Sequence, residues 1–194
     1  GRWLRHGEPL ARGAQREING PTTSHGADFL RRGISVPTFD VRYVSYYTRA
    51  QQTLDIMFPG EKVYEDPRLA EGQRGIFNTM THEEICNRYP DEIARKQREG
   101  LYHFRAMGGE NWPDIELRIH SFLGTMARDC EDLDVAIVRH GHWLIIFQRL
   151  VERLSIDEAM ARIAEGVVPN ASVTHYKRDG RHMVRQLVNG SPHF

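Results

Sequence analysis

The tripeptide Arg-His-Gly occurs twice, as Arg5-His6-Gly7 and as Arg139-His140-Gly141, near opposite ends of the chain. An imidazole can act as nucleophile, as proton carrier or as metal ligand. The glycine after it lets backbone N–H groups come close to a ligand. A single histidine at a strand end ordinarily does no more than cap the strand, but two identical tripeptides at two strand ends ask for a shared reason. A metal is one such reason, since His140 and His142 are two residues apart. Zinc, however, wants three or four ligands at recognisable spacing, and no Cys pair, HExxH or convincing carboxylate partner accompanies these histidines. Phosphate is the other reason. Arg5 adjoins His6, and Arg49 stands at the start of a predicted helix. Guanidinium forks hold two phosphoryl oxygens at once and stay charged. A helix N-terminus adds free N–H groups and a favourable dipole. Transfer of a phosphoryl group also needs an acid for the leaving oxygen, and Glu71 in Pro67-Arg68-Leu69-Ala70-Glu71 follows a predicted strand that brings it to the same end.

The elements that must position these residues can be read from pattern and punctuation. Trp3-Leu4 ends a first strand, residues 12–24 form a polar loop, and a helix runs over about 25–32 with Ser24 as cap. Strands are predicted at 41–45, 62–64 and 134–138, the last (Asp-Val-Ala-Ile-Val) reading as buried. Helices are predicted over 48–57, from a Thr81/Glu84 capping box to a stop before Pro90, over 113–128, over 143–154, and from Ser155 onward. Residues 172–176 and 182–188 alternate around Asp179-Gly180, a hairpin signal. Helices between strands imply an α/β domain whose ligands collect at the carboxyl ends of the strands. If the strands before His6 and His140 are neighbours, both imidazoles face one cleft.

The whole composition sets outer bounds. The 194 residues suit one domain, with 40% apolar and 27% charged content and formal net charge zero. General affinity for nucleic acid or an anionic membrane needs a basic excess, so neither partner is expected. The basic run from Tyr176 to Arg185 reads as a solvated hairpin. Cys86 and Cys130 have no partner motif and are expected as free thiols, which suits a reducing compartment. No apolar run approaches bilayer length, and no signal-peptide pattern precedes the first motif. The chain opens only four residues before Arg5, so residues before Gly1 are left open. Cytoplasmic is the default expectation.

In order along nearly the whole chain, these segments resemble the histidine phosphatase superfamily, the phosphoglycerate mutase-like proteins. Arg5-His6-Gly7-Glu8 is similar to the family's opening RHGE, and Thr22-Thr23-Ser24-His25-Gly26 sits where its leucine–threonine–x–x–glycine helix start falls. Ser45-Tyr46-Tyr47-Thr48-Arg49-Ala50-Gln51-Gln52-Thr53 resembles its S-x-x-x-R-A-x-Q-T stretch, and Pro67-Arg68-Leu69-Ala70-Glu71 the acid-bearing segment. Gly108-Gly109-Glu110-Asn111-Trp112-Pro113-Asp114 with Arg118 resembles a G-G-E-S-x-x-D-x-x-x-R helix start, and Arg139-His140-Gly141 the second His-Gly motif.

The resemblance implies a three-layer α/β/α sandwich with a mixed, mostly parallel central sheet, as one domain over residues 1–194, with segments 9–21 and 74–105 covering the substrate. It implies that His6 becomes a phosphohistidine. Arg5, Arg49 and His140 bind the phosphoryl oxygens, and Glu71 is the acid and then the base. No metal and no other cofactor are called for. Gly141 and Thr23 join the phosphate-binding set, and Asn19, Arg12 and Arg16 are placed to read a second anionic group or to be surface polar residues.

Two departures matter. Arg139 stands where a small residue is usual, and it can bind phosphate, pair with Glu71 or point away. The arginine-containing insert that the glycolytic mutases use for a carboxylate is not recognisable, with only Lys96, Arg98 and Arg105 in that region. Glu71-Gly72-Gln73-Arg74-Gly75-Ile76-Phe77 also resembles the phosphatase-like branch. Hydrolysis of a small phosphorylated metabolite is therefore favoured over mutase chemistry. A protein phosphatase and a non-catalytic phospho-ligand module remain open, as does oligomeric state, a homodimer included.

Overall fold

The computed structural model describes residues 38–165, 168, 172–180 and 182–190. The predicted first strand, the loop at 12–24 and the helix at 25–32 lie outside these residues. Three strands, β1 (Val41–Val44), β2 (Tyr64–Glu65) and β3 (Val135–Val138), form a parallel sheet in the order β2-β1-β3. Val41 pairs with Val135 and Val44 with Val138. In this register the carboxyl ends of β1 and β3 lie side by side. The chain leaves β1 through helix α1 (Thr48–Met57) to reach β2. It returns through α2 (His82–Arg88), α3 (Pro90–His103) and α4 (Trp112–Asp129) to β3, then continues into α5 (Gly141–Glu152) and α6 (Ile156–Ala164). Strands β4 (Val173–Asp179) and β5 (His182–Gly190) pair as an antiparallel hairpin. The fold class is the one the sequence predicts, α/β with a mostly parallel central sheet.

Alternation along the strands produces two cores, because successive side chains leave opposite faces of a sheet. Tyr43 and Ile137 pack into a cluster with Ile119 and Phe122 of α4 and Trp143, Leu144, Ile146 and Phe147 of α5. Val44, Ala136 and Val138 face the other way, against Ala50 and Leu54 of α1 and Phe58. Helices thus cover both faces. In α4 the buried positions Ile115, Ile119 and Phe122 follow helical spacing, as the sequence predicts.

Helix starts follow local chemistry. Thr81/Glu84, Asn111/Asp114 and Ser155/Glu158 each form a capping box, at α2, α4 and α6. The helix predicted to stop before Pro90 ends at Arg88, with Tyr89 closing it. Pro90 then opens α3, an element the sequence reading did not separate. Proline stops the preceding helix, but its missing N–H and fixed φ suit the first position of a helix equally well. The helix predicted over 143–154 starts two residues earlier, at Gly141, directly after His140. None of the described helices is long and apolar enough to cross a membrane. Both cysteines are free thiols.

Candidate active site

The carboxyl ends of β1 and β3 carry Ser45 and His140, and these two buried side chains meet. Their Oγ and Nε2 atoms share a hydrogen bond of 2.8 Å, with Ser45 fully buried and His140 only 7% exposed. Tyr47 packs edge-on to the His140 ring, with centroids 5.2 Å apart. The Arg49 guanidinium carbon lies 4.5 Å from the centroid of the same tyrosine ring. Burial, followed by the charges of Arg49, Arg139 and Arg118, pushes the His140 imidazole down to about 3. At neutral pH it is an uncharged ring in a field of guanidinium groups. A dianion would relieve that imbalance.

The helix termini carry the same signature. Helices α2, α3, α4 and α6 all have Asp or Glu in their first turn. Helices α1 and α5, which leave the ends of β1 and β3, have none, and neither has a side-chain cap bond. In the other described helices the first turn carries its own acidic residue; α1 and α5 carry none, which leaves their first turns suited to an anionic ligand. Arg49 is the second residue of α1 and Gly141 the first of α5. A Cβ on Gly141 would meet, among the described residues, only Val168 Cβ at an ordinary 3.7 Å. Packing in the described part therefore does not demand this glycine, whereas close approach of a ligand to its N–H would.

Glu71 reaches the same end from the loop after β2. Its side chain is 21% exposed and its Oε2 lies 4.0 Å from Nδ1 of His142, while its Oε1 accepts the Gly72 N–H at 3.1 Å. The loop is held by residues the sequence reading assigned no role. Gln73 donates its backbone N–H to the Glu110 carboxylate at 3.0 Å and accepts the Glu110 N–H at 2.8 Å. Arg118 grips both oxygens of Glu110, at 2.9 and 3.1 Å, and donates to the Arg68 carbonyl at 2.7 Å. The two backbones approach so closely that a Cβ on Gly75 would fall 2.1 Å from the Met107 carbonyl oxygen, and one on Gly109 2.7 Å from that of Gln73. Gly75 also has φ +56°, so glycine is required there twice over.

Arg139 does not pair with Glu71. It donates to the carbonyl of His140 at 3.2 Å and lies 5.8 Å from the centre of the Trp143 ring. Burial lowers it to about 10, still a full cation at neutral pH, and its charge bears on Glu71 without an ion pair between them. Tyr102 and Trp112 are buried in the core. Among the described residues no three His, Cys, Asp or Glu side chains group to hold a metal. Of the predicted site, Arg49, Glu71, His140 and Gly141 are thus placed. Arg5, His6, Arg12, Asn19 and Thr23, and the segment 9–21, lie outside the described residues.

The sequence model of the histidine phosphatase superfamily (branch 1) matches residues 3–190. The chain belongs to that superfamily. Its fold is similar to the crystal structure of the alpha-ribazole phosphatase from Shigella flexneri, with TM-score 0.76 and 17% identity over 88% of this chain and 85% of that one. It is also similar to a mycobacterial glucosyl-3-phosphoglycerate phosphatase solved with inorganic phosphate, with TM-score 0.69 and 21% identity over 87% and 85% of the two chains. A curated relative, 6-phosphofructo-2-kinase 1 of Saccharomyces cerevisiae, is 27% identical over 106 residues, which are 54% of this chain but only 12% of that much longer protein.

The state of His140 has a measurable consequence. Its folded-state value lies below the value of about 6.5 expected in the unfolded chain, so the unfolded state takes up a proton first as pH falls. The stability contributed above pH 6.5 is then lost progressively down to about pH 3, at up to about 1.4 kcal/mol per pH unit. Urea unfolding at pH 7 and pH 5 should show wild type losing about 2 kcal/mol more than His140→Asn. An equal loss in both would mean that His140 takes up its proton in the folded protein as readily as in the unfolded one.

Proposed function

We propose that this protein is a metal-independent phosphatase that hydrolyses a small phosphorylated metabolite through a phosphohistidine on His6. The observation that carries the proposal is the pair of acid-free, uncapped helix starts at adjacent strand ends, with Arg49 on one and the buried neutral His140 immediately before the other. An imidazole nitrogen of His6 attacks phosphorus as the bond to the leaving oxygen breaks. Glu71 gives its proton to that oxygen. Water then attacks the phosphohistidine, Glu71 takes its proton back, and phosphate leaves with His6 restored. Arg5, Arg49 and His140 neutralise charge on the transferring oxygens, where most of the rate enhancement in phosphoryl transfer arises. Gly141 and Thr23 complete the phosphate-binding set, and Arg12 and Asn19 are assigned to a second anionic group of the substrate.

Hydrolysis is favoured over mutase chemistry by the fate of the mid-chain cations. Arg105 is engaged by Asp114 at 2.5 Å, Lys96 lies 6.0 Å from the Phe104 ring centre, and Arg98 is exposed on α3. The two structural neighbours are both phosphatases, which points the same way. The contacts of Arg139 weigh against a non-catalytic module, since it forms no ion pair with Glu71. A small-molecule partner and a cytoplasmic setting complete the proposal.

The test is turnover of p-nitrophenyl phosphate in chelator, followed by a base quench and mass measurement. Sustained turnover with an acid-labile adduct of about 80 Da on the His6 peptide is expected. Complete loss in chelator with recovery on adding zinc would instead indicate a metal enzyme.

A further inference from the structure

Between the phosphate-binding groups and the acid-bearing loop stands a side chain that belongs to neither. The ring of Tyr47 carries the Arg49 guanidinium on its face, 4.5 Å from the centroid, and meets the His140 ring edge-on at 5.2 Å. Its hydroxyl accepts a hydrogen bond of 2.8 Å from the side-chain amide of Gln73. Gln73 is two residues from Glu71, and both its backbone groups are tied to Glu110. Tyr46 stacks on Tyr47 at 4.8 Å and shares the same Gln73 amide at 3.1 Å. The backbone N–H of Tyr47 also approaches Ser45 Oγ at 3.4 Å, the atom that holds His140. Tyr47 thus touches Arg49, His140 and the loop of Glu71.

We propose that Tyr47 is a positioning residue that sets Arg49 and His140 against each other through its ring and registers the Glu71 loop to them through its hydroxyl and Gln73. The proposal rests on the phosphatase reading above. A tyrosine suits the task because a rigid ring has few torsions to restrain, offers an electron-rich face to a guanidinium, and keeps a polar tip for the loop. Phosphorus and the leaving oxygen are adjacent atoms of one substrate, so the two halves of the site must be held to one spacing. Misplacement by about 1 Å can cost on the order of a hundredfold in rate.

The two parts of the side chain separate in experiment. Tyr47→Phe keeps the ring and removes the hydroxyl. It should bind inorganic phosphate within about twofold of wild type by calorimetry, while kcat/KM falls about tenfold for an alkyl phosphate and less than about threefold for p-nitrophenyl phosphate. Gln73→Met should reproduce this pattern, and the double variant should be no worse than either single, as expected for one shared hydrogen bond. Tyr47→Leu removes the ring and should weaken phosphate binding by about tenfold. If Tyr47→Leu does not fold, the Phe and Met variants still decide the hydroxyl half.

Equal losses of Tyr47→Phe on both substrates, or no loss on either, would overturn the proposal, as would a folded Tyr47→Leu that binds phosphate like wild type. Wild-type protein that binds phosphate but turns over neither substrate would instead overturn the phosphatase reading on which the proposal rests, a result distinct from the others.

Discussion

His6→Ala is expected to bring turnover down by on the order of 10⁵-fold, to background, while phosphate binding survives within about tenfold. In the proposed mechanism the phosphoryl group must rest on a side chain with an available lone pair. The guanidinium groups have none, because they stay protonated. His140 is a poor substitute, since Nε2 is engaged by Ser45 and the ring is buried. Glu71 would have to serve as nucleophile and acid in the same step. Arg49, His140 and the open starts of α1 and α5 remain in the variant, and they should still hold the anion. Steady-state rates on p-nitrophenyl phosphate, with calorimetry for phosphate and a base-quenched mass spectrum, check each part. Activity near wild type, or an adduct on the His140 peptide, would sink the nucleophile assignment.

The second large effect is expected at Glu71. Glu71→Gln keeps the shape, and the amide can still take the Gly72 N–H through its oxygen, but it has no proton of the right acidity to give. An alkoxide leaves poorly without one, whereas p-nitrophenolate is stable enough to leave unaided. The variant should therefore lose on the order of 10²- to 10³-fold in kcat on an alkyl phosphate and less than about tenfold on p-nitrophenyl phosphate. Equal losses would show that Glu71 does not act on the leaving oxygen. His142, whose Nδ1 lies 4.0 Å from the Glu71 carboxylate, is 59% exposed at the side chain and has ready access to water.

The tripeptide at 139–141 shows where sequence reading succeeds and where it stops. The run Asp-Val-Ala-Ile-Val is a strand, as its apolar, mostly β-branched residues predict, although only Ala136 is buried and Val135, Ile137 and Val138 are half-buried. The histidine after it therefore had to lie at a carboxyl end. What the tripeptide did not reveal was its neighbour. Ser45 is 95 residues away and reads locally as the end of another strand. Its contact with His140 exists only because β1 and β3 pair in parallel at one register. The same holds for Tyr47, which between Ser45 and Arg49 looks like helix-start filler. It acquires its role from Gln73, across a loop whose position depends on the grip of Arg118 on Glu110.

Electrostatic state was less legible still. Arg139 is one unexpected guanidinium in a motif, and nothing in its neighbours along the chain says whether it meets Glu71. Its direction is decided by Trp143 on the first turn of α5 and by the carbonyl of His140. The depression of His140 arises from burial and three arginines drawn from three separate segments. Burial and long-range charge are sums over tertiary neighbours, which no local pattern contains.

The sequence by itself determined the α/β class, the strands ending at Val44 and Val138 and the helix starts at Thr81 and Ser155, since these follow from side-chain type, period and local hydrogen bonding. Only the tertiary structure decided which of the described residues lie together, that Arg139 forms no ion pair with Glu71, and that Tyr47 touches Arg49, His140 and Gln73. Each of those depends on strand register and loop approach, which bring residues distant in the chain within a few ångströms of one another.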